Sequence, residues 1–138
     1  PTVNTAILKL LRKIKETSDE RFLTPKLYKD IEDKQYAINL FKKTMLNQSK
    51  LSEEIANKTK NWDTERIATI DMVLLKMAIC ELTSFPSIPT KVTINEYLEI
   101  AKEYSTPKSS IFINGILDKL LKEYQEEGKL NKVGRGLM

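Results

Sequence analysis

The chain has 138 residues, 41% of them hydrophobic, with only four Gly and five Pro; that is enough apolar material for one continuous core, and a composition of helices rather than of a turn-rich sandwich or barrel. It holds no His and a single Cys, which removes the imidazole of Ser-His-Asp and Cys-His nucleophile systems and of most catalytic zinc sites, and leaves no thiolate cage for a metal. The net charge of +4 is unevenly placed, with thirteen Lys or Arg against eight Asp or Glu before residue 63 and ten against eleven from residue 63 on, so the first half is the better candidate for facing phosphate, although a Lys-rich solvated surface gives the same count.

No apolar run approaches the length of a membrane span, and the start lacks the charged-then-apolar layout of a secretion signal. Cys80 lies in an apolar run without a partner and reads as a buried, reduced thiol, which favours the cytoplasm. The expectation is an all-α, non-enzymatic protein with no cofactor and no metal. Beginning at Pro1 suits either a processed chain or a domain cut from a longer one.

In chain order, the first predicted helix runs from about Asn4 to Glu16. It places Ile7, Leu8, Leu11 and Ile14 on one face and its basic residues mostly elsewhere. A short turn around Pro25 to Tyr28 precedes a helix from about Ile31 to Leu46 that presents Ile38, Phe41 and Met45, with Tyr36, Ala37 and Leu40 beside them. A shorter helix follows over Leu51 to Lys60. At Trp62-Asp63 the pattern specifies a helix start, with Asp63 capping free amides and Trp62 stapling onto Ile67. From Ile67 to Leu82 apolar residues occur nearly all round, the mark of a central helix surrounded by the others.

The next start, Val92-Thr93-Ile94-Asn95-Glu96-Tyr97, matches a capping box. Thr93 would cap the amide of Glu96, the Glu96 carboxylate would reach back, and Val92 and Tyr97 would form the staple. Asn95 beside Glu96 has the look of a polar catalytic pair, but capping already explains Glu96. That helix runs to about Tyr104; Thr106 and Pro107 open the last one, which ends near Gly128 as the C′ residue. Residues 129–138 read as a frayed basic tail.

Several positions stand out against this background. Glu81 ends the apolar helix, where an unpaired carboxylate is costly to bury, and a hydrogen bond to backbone or to a Tyr is the expected answer. Asp71 interrupts the same apolar surface, so it is expected on the narrow strip that faces out, where either a protein partner reads it or it only marks the solvated side. Gly115 lies inside a helix at a cost of about 1 kcal/mol relative to Ala, which tight helix packing would explain. Lys108, Ser109 and Ser110 form the first turn of that helix, where free amides suit an anion; beyond them Asn114 offers an exposed amide and Phe112 a stacking face for an unpaired base, or ordinary core.

Three segments in succession carry a resemblance. Leu74-Leu75-Lys76-Met77-Ala78-Ile79-Cys80-Glu81-Leu82, Ile88-Pro89-Thr90-Lys91-Val92-Thr93-Ile94-Asn95-Glu96 with Ala101-Lys102 after it, and Phe112-Ile113-Asn114-Gly115-Ile116-Leu117-Asp118 resemble the NusB family in order and spacing. The likeness is clear from about Trp62 to Leu120, weaker over Asp33 to Lys60, and slight over residues 1–32. The resemblance implies an all-α NusB-like helical bundle, about six to seven helices in two packed sub-bundles. Along the chain it implies an N-terminal helix and connector over 1–32, the helical domain over 33–128 and the tail over 129–138.

The resemblance further implies processive antitermination in ribosomal RNA transcription. The partners would be single-stranded boxA-type RNA, the ribosomal protein NusE, and the RNA polymerase elongation complex with other Nus factors. By position Asp71 looks like the acidic residue directed toward NusE, and Phe112 with the turn before it looks like part of the RNA-proximal surface. Val92, Ile94, Asn95, Glu96 and Gly115 match the family motif, in which Thr93 has the capping role.

There are departures. The family's Arg-rich opening helix has no counterpart here, Lys9, Arg12, Lys13 and Lys15 being basic without that motif. Lys76 stands where Arg is usual, Cys80 where Tyr is common and Tyr97 where Ala is usual. Two further readings are an accessory domain of a ribosomal RNA methyltransferase and a protein-interaction domain without RNA binding.

Overall fold

The computed structural model describes residues 2–23, 27–59 and 67–138. The expected cap and staple at Trp62 and Asp63, and part of the turn near Pro25, lie outside the described residues. Six α-helices are found among those described: α1 (Thr2–Leu11), α2 (Ile31–Leu46), α3 (Gln48–Lys58), α4 (Thr69–Ser84), α5 (Thr90–Tyr104) and α6 (Ser109–Glu126), with 3-10 turns at Glu20–Leu23 and Gly134–Leu137. No strand occurs among the described residues, and the fold is all-α.

The chain divides into two compact units, Pro1–Gln35 and Tyr36–Met138. The first has little core of its own: Ile7, Leu8 and Leu11, the apolar face of α1, and Ile14 beyond its end are each about half exposed. The second unit is organised by α4. Leu74, Leu75, Ala78, Ile79 and Leu82 are all sealed, and α3, α5 and α6 pack around the helix that bears them, as an apolar pattern on nearly all sides requires. Cys80 is free and buried in the same core. Ile113, Ile116, Leu117 and Leu120 bring α6 onto it, and Leu51 and Ile55 bring α3.

Sequence reading misplaced three local features. The inward face of α2 is Leu40 and Thr44, while Phe41 and Met45 are 67% and 52% exposed. Two adjacent stripes of that helix are apolar, and the one chosen includes a Thr whose Oγ1 is sealed without a hydrogen bond, a polar interruption that pattern reading counts against burial. The capping box at Thr93 is not formed. Helix α5 opens four residues earlier, after Pro89 in an extended conformation (φ −61°, ψ 141°). Thr93 is therefore inside the first turn, fully buried, with its hydroxyl turned back toward the Pro89 carbonyl at 3.5 Å, and Glu96 is exposed. A proline that presets the extended entry displaced the hydroxyl as the start signal.

The third concerns the C-terminal segment, which is not frayed. Helix α6 stops as expected at Gly128 (φ 63°), with the Lys129 amide bonded back to the Tyr124 carbonyl in the manner of a Schellman end. The chain then folds onto the α4–α5 connection: Val133 N donates to Pro86 O at 3.0 Å, and Lys132 Nζ to Phe85 O at 3.1 Å. Gly136 is the seat of this strap, since a Cβ there would lie 1.9 Å from the Pro86 carbonyl oxygen. Replacing Gly136 by Ala forces backbone apart and is expected to cost about 1–3 kcal/mol in urea denaturation, with faster amide exchange at Val133; unchanged stability would mean that the strap is not seated.

Candidate nucleic-acid interface

The expected phosphate-facing turn begins α6, and its geometry is set by a buried carboxylate. Asp71, in the first turn of α4, is 4% exposed, not on an outward strip. Its Oδ1 accepts from Ser105 Oγ at 2.5 Å and its Oδ2 from Ser109 Oγ at 2.7 Å. Ser105 Oγ also lies 2.8 Å from Ser109 Oγ, and Ser109 Oγ accepts from the Thr106 amide at 3.3 Å. The outward expectation failed because pattern reading assigns an isolated acid to the solvated strip; here hydroxyls from the next helix connection satisfy it and make burial tolerable. Asp71 is thus the post to which the α5–α6 corner is tied.

This tie sorts the predicted residues. Ser109 is 3% exposed with its hydroxyl committed to Asp71, so its side chain is withdrawn from the RNA-facing set. Lys108 is exposed and Ser110 half-buried in the same turn. Phe112 is half-buried against the core cluster. Asn114 donates from Nδ2 to Asp118 Oδ2, one helical turn on, at 3.1 Å. Lys108, Ser110, Phe112 and Asn114 therefore share the first half of α6, while Asp71 and Ser109 lie beneath it. Helix α6 itself starts at Ser109, with Lys108 at the N-cap position and no side-chain cap, two residues after the start expected at Pro107.

Gly115 does not serve tight packing. It is exposed, and a Cβ built there meets nothing within 4 Å. Nothing inside this unit accounts for a mid-helix glycine, and Gly115→Ala is expected to stabilise the free chain by about 1 kcal/mol in urea denaturation; a loss of stability would show that the position is crowded.

At the other end of α4 the second buried acid is satisfied in the expected way, by tyrosines. Glu81 is 4% exposed; its Oε2 accepts from the Tyr36 hydroxyl of α2 and, at 3.4 Å, from the Tyr97 hydroxyl of α5. Tyr36 also meets the Phe85 ring edge-on at 5.4 Å, and Lys43 Nζ donates to the Ser84 carbonyl at 3.3 Å, so the C-terminal end of α4 anchors α2. A third phenol, Tyr124, donates to Glu54 Oε2 at 2.8 Å and links α6 to α3.

Burial first, and then the neighbouring carboxylates, push all three phenols well above their ordinary value of 10. A folded-state pKa above the unfolded one gives stability that is complete below the unfolded value and is lost as pH rises past it. The chain is therefore expected to lose stability above about pH 10. Tyrosinate absorbance from Tyr36, Tyr97 and Tyr124 should appear together with loss of helicity; ionisation of all three before any unfolding would contradict this placement.

No group of His, Cys, Asp or Glu that could hold a metal ion occurs among the described residues, and no helix among them is long and apolar enough to cross a membrane. Comparison with known proteins places this geometry. The NusB family matches over residues 3–122. The chain is 43% identical over 112 residues to the transcription antitermination protein NusB of Salinibacter ruber, covering 81% of this chain and 70% of that one. It is 42% identical over 109 residues to that of Chloroherpeton thalassium, covering 79% and 52%, and 42% identical over 86 residues to that of Natranaerobius thermophilus, covering 62% of each. The matched part thus spans little more than half the length of the Chloroherpeton relative. A solved structure of T. maritima NusB superposes with a TM-score of 0.67 at 30% identity, over 93% of this chain and 94% of that one. The matched span takes in α4, α5 and most of α6, with both buried carboxylates and the corner that Asp71 holds, and the chain belongs to the NusB family.

Proposed function

We propose that the chain acts as a transcription antitermination factor rather than an enzyme, binding single-stranded boxA-type RNA together with the ribosomal protein NusE. In that role it joins the RNA polymerase elongation complex with other Nus factors, in the cytoplasm. The observation that carries the reading is the shared name of three relatives, each called a transcription antitermination protein, at 42–43% identity. The RNA-facing set consists of Lys108, Ser110, Phe112 and Asn114 on the first half of α6.

The corner that carries this set is rigid where it needs to be. Asp71 fixes Ser105 and Ser109 from below, and the exposed Lys108 is left at the N-terminal end of a helix of 18 residues, where a cation and the helix dipole together favour phosphate. Asp71 itself supports the reading only from beneath: with both oxygens engaged, it positions the corner and offers no carboxylate to NusE.

The test is titration of the chain with NusE, with and without a short boxA RNA, at two salt concentrations. Joint binding of RNA and NusE is expected, weaker at higher salt. Lys108→Ala should lower the slope of log affinity against log salt by about 1. No binding of either component in the presence of the other would overturn the proposal.

A further inference from the structure

A cleft of about 630 Å³ opens beside the C-terminal end of α4, far along that helix from the α6 corner and independent of the function proposed above. One wall is a single stripe of α5, Val92, Glu96 and Ile100, spaced by four residues and so stacked on one helix face. Met77 comes from α4, Leu40 from α2, and Arg135 and Met138 from the strap. The lining is mainly apolar, with Glu81 among it.

Glu81 is what gives this cleft a chemistry. It is 4% exposed, and both tyrosine hydroxyls that reach it go to Oε2; no described side chain bonds to Oε1. Among the described residues the one sealed side-chain oxygen without a partner is Thr44 Oγ1, so Oε1 of Glu81 retains access to the cleft. Glu96 adds a second, exposed carboxylate to the α5 stripe. Of the cations nearby, Arg135 lines the cleft, and Lys132, which feels the charge of Glu81, gives its hydrogen bond to the Phe85 carbonyl. In a chain of net charge +4, this is an apolar cleft whose lining carries two carboxylates against one guanidinium.

We propose that this cleft docks a partner peptide that presents one Arg or Lys between apolar residues. The cationic head takes Oε1 of Glu81 with Glu96 beside it, the alkyl stem lies along Met77 and Val92, and the flanking apolar side chains rest on Ile100 and Leu40. The occupant follows from charge complementarity: a buried carboxylate oxygen without a hydrogen bond selects a donor carrying positive charge, and the apolar walls select the long stem of Arg or Lys over a short polar group.

The full chain, isotopically labelled, would be titrated with acetyl-Leu-Arg-Leu-amide while its backbone amides are followed by NMR. Saturable shifts at Met77, Val92, Glu96 and Ile100 are expected, with a Kd on the order of 1 mM for so short a probe. Replacing the arginine by neutral citrulline should weaken binding about tenfold. Because Glu81 also holds Tyr36 and Tyr97, the site is altered through exposed positions: Glu96→Gln should weaken the arginine peptide and leave the citrulline peptide unchanged, and Val92→Arg should abolish binding of both. Equal binding of the two peptides, shifts that fall elsewhere, or no saturation at about 10 mM would each overturn the proposal.

Discussion

Everything in the Tyr36–Met138 unit depends on how α4 is allowed to be buried on nearly all sides while carrying two acids. Asp71 and Glu81 lie ten residues apart, about 15 Å along the helix, and each is 4% exposed. A bare carboxylate at either place would cost several kcal/mol. Each is met instead by hydroxyls from other elements: Ser105 and Ser109 from the α5–α6 corner at one end, Tyr36 and Tyr97 from α2 and α5 at the other. The polar exceptions in the core are thereby the points that fix which helix goes where, since apolar contacts alone tolerate sliding and rotation that a hydroxyl-to-carboxylate bond does not.

From these two posts the functional surfaces follow. The N-terminal post sets the start of α6, so that Lys108 and Ser110 are presented while Ser109 is consumed beneath them. The C-terminal post draws α2 and α5 together and, with the strap seated on Pro86 through Gly136, leaves a cleft whose floor is the unused oxygen of Glu81. One helix therefore sets the α6 corner with exposed Lys108 at one end and, at the other, a cleft whose lining includes Glu81 and Glu96.

Much of this was legible in the sequence. The bounds of α2, the all-round burial of α4, the Gly128 terminus and the pairing of Glu81 with tyrosine follow from periodicity, from the freedom of glycine to take positive φ, and from the cost of burying charge. The misreadings have different physical causes. Asp71 reads as a solvated interruption until Ser105 and Ser109 are brought to it, and Thr93 reads as a cap because the sequence fits and nothing in the pattern weighs Pro89 more heavily. The tail reads as frayed because its bonds are to Phe85 and Pro86, more than forty residues upstream. The open space around Gly115 was invisible to pattern, which knows the cost of the residue and not what surrounds it.

The most direct test of the central claim is the stability of Asp71→Asn and Glu81→Gln, singly and together, by urea denaturation monitored by helicity. Each change replaces a charged acceptor by a neutral one at a residue only 4% exposed, and losses of about 1.5–3 kcal/mol apiece are expected, additive because the sites share no partner. A chain in which Asp71→Asn leaves stability unchanged and instead weakens binding to NusE would contradict the account, returning Asp71 to the surface and leaving the α6 corner without its post.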